Sequence, residues 1–519
     1  MELINMTISE CLEKRASETP DDIFIRSGKE IFTWETIDSI ATKVAYLLTE
    51  QGIKKGDKVG VLGVNTASWV ISFFAIQKLG AVAVLINSHY KEKELIDCIE
   101  ISELKYLFYT TSNDNDYYRD TISALRKDRK TKHVKFYNME HSYIEWINIL
   151  SRDVSENHTL PDKIDPKDTA CVLFTSGTTN LCKGVKLSHY SLVNNAREMV
   201  LQMRWNISDV MCLVVPLFHC FGISVSLLGS VIAGNSVTLV DKYKSLSVYE
   251  SIEKHKCSIL NGVPSMFLAL VRNEHFKDYD LSSLKSGIIA GSPVFKDDYI
   301  HICEKLDGMK LQTSYGLTES SPCVSISDYN DPIEKKAISA GKIISNVEVK
   351  IMDLDTKEEC QLGEVGEIYV KGYNVTSGYM SKDPVICDAV QPDGWLKTGD
   401  LAYKDASDYL YIAGRRKNLI IRGGENISPG EIEKYIKEVK KGLQVLVFGK
   451  KSEVLQEEIV ACIEGKEDLE LVNQIKEYLD KNLSRYKMPK YFVFMEHFPK
   501  NATGKIDEKK IKESVNEIL

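Results

Sequence analysis

Apolar and polar positions run along this chain in two rhythms. Val59-Gly-Val-Leu-Gly63 is an apolar run of strand length, 68–78 is one of helix length, and Ala81-Val-Ala-Val-Leu-Ile86 is strand-like again. Further strand-length runs recur at 170–174, 210–216, 236–240, 257–260, 286–290 and 310–315, with helical patterns among them, including an apolar helix over 223–232. Upstream, 23–26 reads as extended, and Thr33-Trp-Glu-Thr36 opens an amphipathic helix carried by Ile37, Ile40, Ala41 and Ala45. Strands alternating with helices argue a layered α/β sheet with parallel strands. The stretch 113–163 is charged and weakly periodic, and it reads as a peripheral helical excursion. From 337 the period shortens to two, as in Val347-Glu-Val-Lys-Ile351 and Gly366-Glu-Ile-Tyr-Val370. Gly and Asp turns separate these runs, so an antiparallel piece with the look of a small β-barrel is expected over about 337–412. Residues 415–418 and 422–424 read as a flexible boundary before a compact α+β module.

Composition changes this picture little. A chain of 519 residues is long enough for two or more domains and a sizeable core. Its net charge of -8 argues against broad nucleic-acid binding. The twelve cysteines contain no C-x-x-C pair, which suits a reduced cytoplasmic setting better than a disulfide scaffold. The most apolar region, 59–87, carries Asn65, Gln77 and Lys78, so it is read as core and not as a membrane span. The first residues look like no secretory signal and the last four like no peroxisomal address, so a cytoplasmic location is expected.

The candidate chemistry centres on Leu173-Phe-Thr-Ser-Gly-Thr-Thr-Asn-Leu-Cys-Lys-Gly-Val185. Thr175, Ser176, Gly177, Thr178, Thr179 and Lys183 supply hydroxyls, flexible backbone N–H groups and an ammonium, a set suited to phosphate. The residue after Lys183 is Gly184, so this is not the Walker loop. The expectation is a strand over 170–174, the loop, and then a helix entered over 186–193. Ser314-Tyr-Gly-Leu-Thr-Glu319 follows another strand; there Tyr315 could stack on a purine and Glu319 could hold Mg²⁺ or simply favour a helix N-terminus. Asp400 sits in a turn-like segment, either as a turn former or as an acceptor for two ribose hydroxyls. His219, between Phe218 and Phe221, reads equally as a packed histidine or a pocket lining, and Lys505 behind Gly504 is weak evidence taken alone.

Together and in this order, 175–184, 216–222, 314–319, 398–401, 414–433 and 499–506 resemble the adenylate-forming superfamily of acyl- and aryl-CoA synthetases, most closely the fatty-acid and aryl-acid CoA ligases. The resemblance spans nearly the whole chain. Asn180 and Cys182 depart from the family's usual Gly and Pro. What the resemblance implies is an N-terminal adenylation domain over 1–414, a mobile lid domain over 415–519 and a hinge near Lys417. It also implies ATP, Mg²⁺ and coenzyme A: a carboxylate attacks the α-phosphorus, pyrophosphate leaves, and a thiol then displaces AMP. By the same resemblance Lys505, Thr318 and His219 serve catalysis and Glu319 binds the metal. Thr175 to Thr179, Lys183, Gly291, Ser292, Pro293, Ser314, Tyr315, Gly316, Asp400 and Arg415 would surround the nucleotide. Phe218, His219, Phe221, Gly222, Val263, Ala290 and Cys323 would line the acid pocket, and Gly423, Gly424 and Glu425 the thiol channel. The segment after Phe218 has no acid to pair with an α-ammonium, and the pocket is mostly apolar. A hydrophobic monocarboxylic acid is therefore expected. A carrier-protein thiol as acceptor, and a non-catalytic nucleotide-binding regulator, stay as alternatives, and the oligomeric state is not legible.

Overall fold

The computed structural model describes residues 1–519 except 111–116, 142, 152–158, 162, 177–181, 293, 295, 355, 382–388, 416–419, 428, 441–442 and 500–507, and leaves out the side chains of 117, 143, 176, 182, 415, 426 and 509. Two large sheets make up most of the N-terminal part. One has nine strands, in the order Lys342–Ile343, Cys323–Ile326, Lys310–Gly316, Ser286–Ile289, Ile259–Leu260, Val210–Leu213, Ser236–Leu239, Ile23–Ser27 and Glu30–Thr33. Its central strands are parallel, as the strand–helix rhythm requires. The second has seven strands, with Lys58–Leu62, Val82–Ile86, Thr169–Ser176 and Tyr106–Tyr109 at its centre.

The helix Ala67–Lys78 is buried along its whole length, because it touches strands of both sheets. Thr66 caps it, its side chain accepting from the Trp69 N–H. Its polar residues are satisfied from inside: Lys78, 4% exposed at the side chain, pairs with Glu13 at 2.6 Å and Asp38 at 2.8 Å. An unpaired ammonium there would be strongly destabilising. Trp34 opens the next helix inward, Trp34–Glu50, and stacks on Phe24 with ring centroids 3.7 Å apart. Among the described residues no helix is long and apolar enough to cross a membrane.

The period-two region forms a four-stranded antiparallel sheet, Val347–Met352, Gly366–Gly372, Leu396–Lys404 and Leu410–Arg415. The C-terminal part is the expected α+β module, a sheet of Val445–Ser452, Gln456–Glu464, Tyr491–Met495 and a short hairpin, with helices Pro429–Val439 and Leu469–Asn482 packed on it.

Three local expectations are corrected. The strand before the phosphate-type loop is not followed directly by a helix: Cys182–Ser188 forms a second strand antiparallel to Thr169–Ser176, while 177–181 lie outside the described residues. Val185 and Leu187 bury one face there, and the helix begins only at His189, capped by Ser188. The excursion over 113–163 contributes a strand, Lys135–Asn138, to the edge of the seven-stranded sheet. Arg422 to Gly424, expected in a flexible boundary, form the turn between strands Ile420–Arg422 and Glu425–Ile427. The Arg422 guanidinium anchors that turn to Glu458 at 2.8 Å and to the Tyr486 carbonyl at 2.8 Å.

Candidate active site

Parallel neighbours in the nine-stranded sheet all point their carboxyl ends one way, so the segments that leave them gather in one crevice. Those segments hold Phe218 and His219, Val263, Ala290 to Ser292, and Ser314 to Glu319. The hairpin Thr169–Ser176/Cys182–Ser188 brings Lys183 to them. Its ammonium lies 2.7 Å from Glu319, and the Tyr379 ring lies 4.2 Å from the same nitrogen. The Tyr379 hydroxyl donates to Glu319 Oε1 at 3.3 Å. Burial pushes the Glu319 pKa up, but the Lys183 ammonium more than offsets it and holds the carboxyl below its ordinary range. The Thr175 hydroxyl is buried and has no hydrogen-bond partner among the described residues. Thr175 is opposite Lys183 in the antiparallel ladder, so its hydroxyl is on the same face of the hairpin as the ammonium that pairs with Glu319.

Tyr315 and Asp400 come from different sheets and meet: the Tyr315 hydroxyl donates to Asp400 Oδ2 at 2.8 Å. Asp400 is opposite Arg415 in the ladder, and its N–H donates to Thr398 Oγ1. Gly316 is required by packing, since a Cβ there would sit 1.9 Å from the Pro322 carbonyl oxygen. Ser314 donates to the Ser325 carbonyl, and Thr318 opens a single 3-10 turn, Thr318–Ser320.

Asn65 positions the apolar wall. Its amide donates to the Val215 and Val240 carbonyls, and its oxygen accepts from the Leu217 N–H. Phe221 and Gly222 begin a π-helical turn, Phe221–Leu228, and a Cβ at Gly222 would lie 2.1 Å from the Pro216 oxygen. Cys323 is buried and pinned at both backbone groups by Asn195, which accepts from its N–H at 3.1 Å and donates to its carbonyl at 3.0 Å. Val263, facing Gly291, and Ala290 line the remaining side.

The C-terminal hairpin reaches into the same crevice. Gly424 lies with φ +88° so close to Val263 that an added Cβ would be 2.8 Å from its Cγ1. Glu425 Oε1 is 3.0 Å from His219 Nε2. Burial disfavours the imidazolium, yet Glu425 outweighs it and raises the His219 pKa above its ordinary value. Burial likewise disfavours the Glu425 carboxylate, and His219 reverses the sign and lowers that pKa. The two shifts agree on a charged pair. His89 sits between Phe218 and Tyr486, edge-on to both rings. Ser292 accepts from the Gln456 amide.

Of the expected site residues, Gly177, Thr178, Thr179, Pro293, Lys417 and Lys505 lie outside the described residues, as do the side chains of Ser176 and Arg415. Of the others, the structure joins Lys183 to Glu319, Tyr315 to Asp400, His219 to Glu425, and Val263 to Gly291 and Gly424. Tyr379, Asn195 and His89 were not anticipated. Tyr379 belongs to a two-residue strand with no periodicity to mark it. Asn195 was visible only as an amide on the buried face of the helix His189–Met203. Among the described residues no three His, Cys, Asp or Glu side chains cluster as a self-sufficient metal site.

Comparison with known proteins agrees with this architecture. The model of the AMP-binding enzyme family matches residues 12–380, and that of the AMP-binding enzyme C-terminal domain matches 431–505. The medium-chain acyl-CoA ligase ACSF2, mitochondrial, of Danio rerio is 32% identical, over 100% of this chain and 89% of that protein. A double mutant of o-succinylbenzoate CoA synthetase (MenE) from Bacillus subtilis, bound with its product analogue OSB-NCoA, superposes with a TM-score of 0.83 at 26% identity, covering 98% of this chain and 99% of that one. The amide bond synthetase McbA from Marinactinospora thermotolerans shares the fold, with a TM-score of 0.85 at 21% identity and coverage of 98% and 99%. Matched over most of its length by the model for the large domain, and again by the model for the small one, this chain belongs to the AMP-binding enzyme family, the adenylate-forming ligases of acyl-CoA synthetase type.

Proposed function

We propose that this protein is an AMP-forming carboxylic acid–CoA ligase acting on a hydrophobic monocarboxylic acid. The observation that carries the proposal is the contact between the domains: Glu425 on His219, and Gly424 on Val263, bring the small domain onto segments that leave the carboxyl ends of the nine-stranded sheet, where Tyr315 is fixed to Asp400 and Glu319 to Lys183. One triphosphate, one acid and one thiol need a common meeting point.

In the first step a carboxylate oxygen of the acid bonds to the α-phosphorus of ATP and pyrophosphate leaves. Lys183 is held in place by Glu319 until phosphate oxygens compete for it, and the Thr175 hydroxyl is ready to donate. Asp400, fixed by Tyr315, offers its carboxylate to the ribose hydroxyls. Glu319, ionised and beside the phosphate place, fits a single-carboxylate contact to Mg²⁺, an ion that keeps most of its waters and takes its other ligands from phosphate. When bound, that ion would neutralise phosphate charge. The resemblance assigns Lys505 to the α-phosphate and the attacking carboxylate.

In the second step the thiol loses its proton to solvent, its sulfur bonds to the acyl carbonyl carbon, and the acyl C–O bond breaks so that AMP leaves with the bonding pair. The Gly423-Gly424 turn can seat its backbone directly on Val263 because it carries no side chains, which brings Glu425 to His219 at the place proposed for the thiol. The wall of Phe218, Phe221, Val263, Ala290 and Cys323 suits an apolar acyl group. It presents no Lys or Arg for a second carboxylate.

Release of AMP from ATP, measured over a panel of carboxylic acids with coenzyme A, a carrier-protein thiol or an amine as acceptor, tests this reading. AMP formation that needs both an apolar monocarboxylic acid and coenzyme A is expected. Absence of pyrophosphate exchange with every acid, or turnover with an amine only, would overturn it.

A further inference from the structure

The seam between the two domains holds a buried polar cluster. Glu94, on the helix Glu92–Ser102 of the large domain, accepts from the Lys487 ammonium at 2.7 Å and from the Ser484 hydroxyl at 2.7 Å, both in the small domain. The Glu94 and Lys487 side chains are 7% and 4% exposed. The same ammonium lies 3.0 Å from Glu431. Beside it, Lys93 lies 3.5 Å from Glu438 and 4.2 Å from the centre of the Tyr435 ring, so the start of one large-domain helix meets the small domain at several points.

From this geometry we propose that Glu94 is a positioning residue for thiol transfer: it latches the small domain in the pose that seats Gly423, Gly424 and Glu425 in the crevice. The proposal rests on the ligase reading above. The link from latch to crevice is short and passes through one hydrogen bond. Lys487 follows Tyr486, whose carbonyl accepts from Arg422 at 2.8 Å, and Arg422 precedes the Gly423-Gly424 turn. Glu94 therefore acts on the turn through Lys487, Tyr486 and Arg422.

The cluster is also built to open. Breaking a buried ion pair is costly when it strands a charge. Here neither partner would be stranded. Lys487 keeps Glu431 within its own domain. Glu94 keeps the Lys91 N–H, which it caps at 3.0 Å, and would otherwise face water. A seam of apolar contacts would have no such alternative partners. A latch with a second partner on each side can close for one half-reaction and release for the other.

The test separates the half-reactions. In Glu94→Gln, thiol transfer from pre-made acyl-adenylate should fall about tenfold or more, while acid-dependent pyrophosphate exchange stays within about twofold of wild type. Ser484→Ala should shift the same ratio in the same direction by a smaller factor. Thermal unfolding of each variant checks the fold. Equal loss of both half-reactions, or no change in either, overturns the latch. Backbone hydrogen exchange gives a readout independent of turnover: amides of 420–427 should exchange faster in Glu94→Gln, and those of 23–27 should not. Unchanged exchange at the hairpin also overturns the proposal, even where a wild type inactive in both half-reactions would defeat the ligase reading instead.

Discussion

Tyr379 touches both members of the Lys183–Glu319 ion pair, with its ring 4.2 Å from the ammonium and its hydroxyl 3.3 Å from the carboxylate. It comes from a strand, Tyr379–Met380, that pairs with Val185 and Gly184 and so extends the phosphate hairpin's own sheet. Tyr379→Phe keeps the ring and loses one hydrogen bond, about 0.5–1.5 kcal/mol. A loss of about twofold to tenfold in kcat/KM for ATP is therefore expected in pyrophosphate exchange. Tyr379→Leu removes the cation–π contact too and should lose more. Equal activity of the two variants would show that the ring contributes nothing.

The His219–Glu425 pair predicts a pH dependence. His219 titrates above its ordinary 6.5, so its contribution to docking is complete below that value and fades as pH rises through the raised pKa. Glu425 titrates below its ordinary 4.5, so its contribution is complete above that value and fades as pH falls through the lowered pKa. Docking should be strongest between the lowered Glu425 pKa and the raised His219 pKa. Thiol ionisation also changes with pH, so the quantity to measure is the ratio of wild-type to Glu425→Gln thiol transfer. That ratio should decline on the alkaline side; a flat ratio would reject the pair's role.

Gly424 joins two constraints, positive φ and contact with Val263. Gly424→Ala should lower thiol transfer about tenfold, since an L-residue in the left-handed region costs roughly 1–2 kcal/mol before any clash. Adding Val263→Ala should restore part of the loss by clearing the clash while leaving the strain. Failure of the double variant to recover any thiol transfer would mean that the turn does not seat on Val263 during that step.

Lys505→Ala should lower adenylation by about 10²–10³-fold, the usual effect of losing one positioned electrostatic donor to the transition state. Transfer from pre-made acyl-adenylate should be nearly spared. Single-turnover measurement of each half-reaction decides it, and parallel losses would reject the assignment.

Much of the fold and site was legible before any coordinates. The runs at 59–63, 81–86, 210–216 and 286–290 became parallel strands because short apolar segments flanked by turns have few ways to bury both faces. The mostly apolar 68–78 became a helix between two sheets for the same reason. Motif residues such as Tyr315, Asp400, Lys183 and Glu319 could be named because their chemistry is local and their order along the chain is distinctive.

What tertiary structure alone decided was pairing. Nothing in the sequence says that Tyr315 donates a hydrogen bond to Asp400, 85 residues away, or that Glu425 meets His219 across 206. The second strand of the phosphate hairpin was missed because glycine and lysine mask its alternation, and only its neighbours, Thr169–Ser176 and Tyr379–Met380, supply its hydrogen bonds. Glu94, Lys487 and Tyr379 carry no signal at all along the chain. A lone Glu or Lys in sequence is most often solvated, and becomes a buried partner only when packing removes the water and brings the opposite charge.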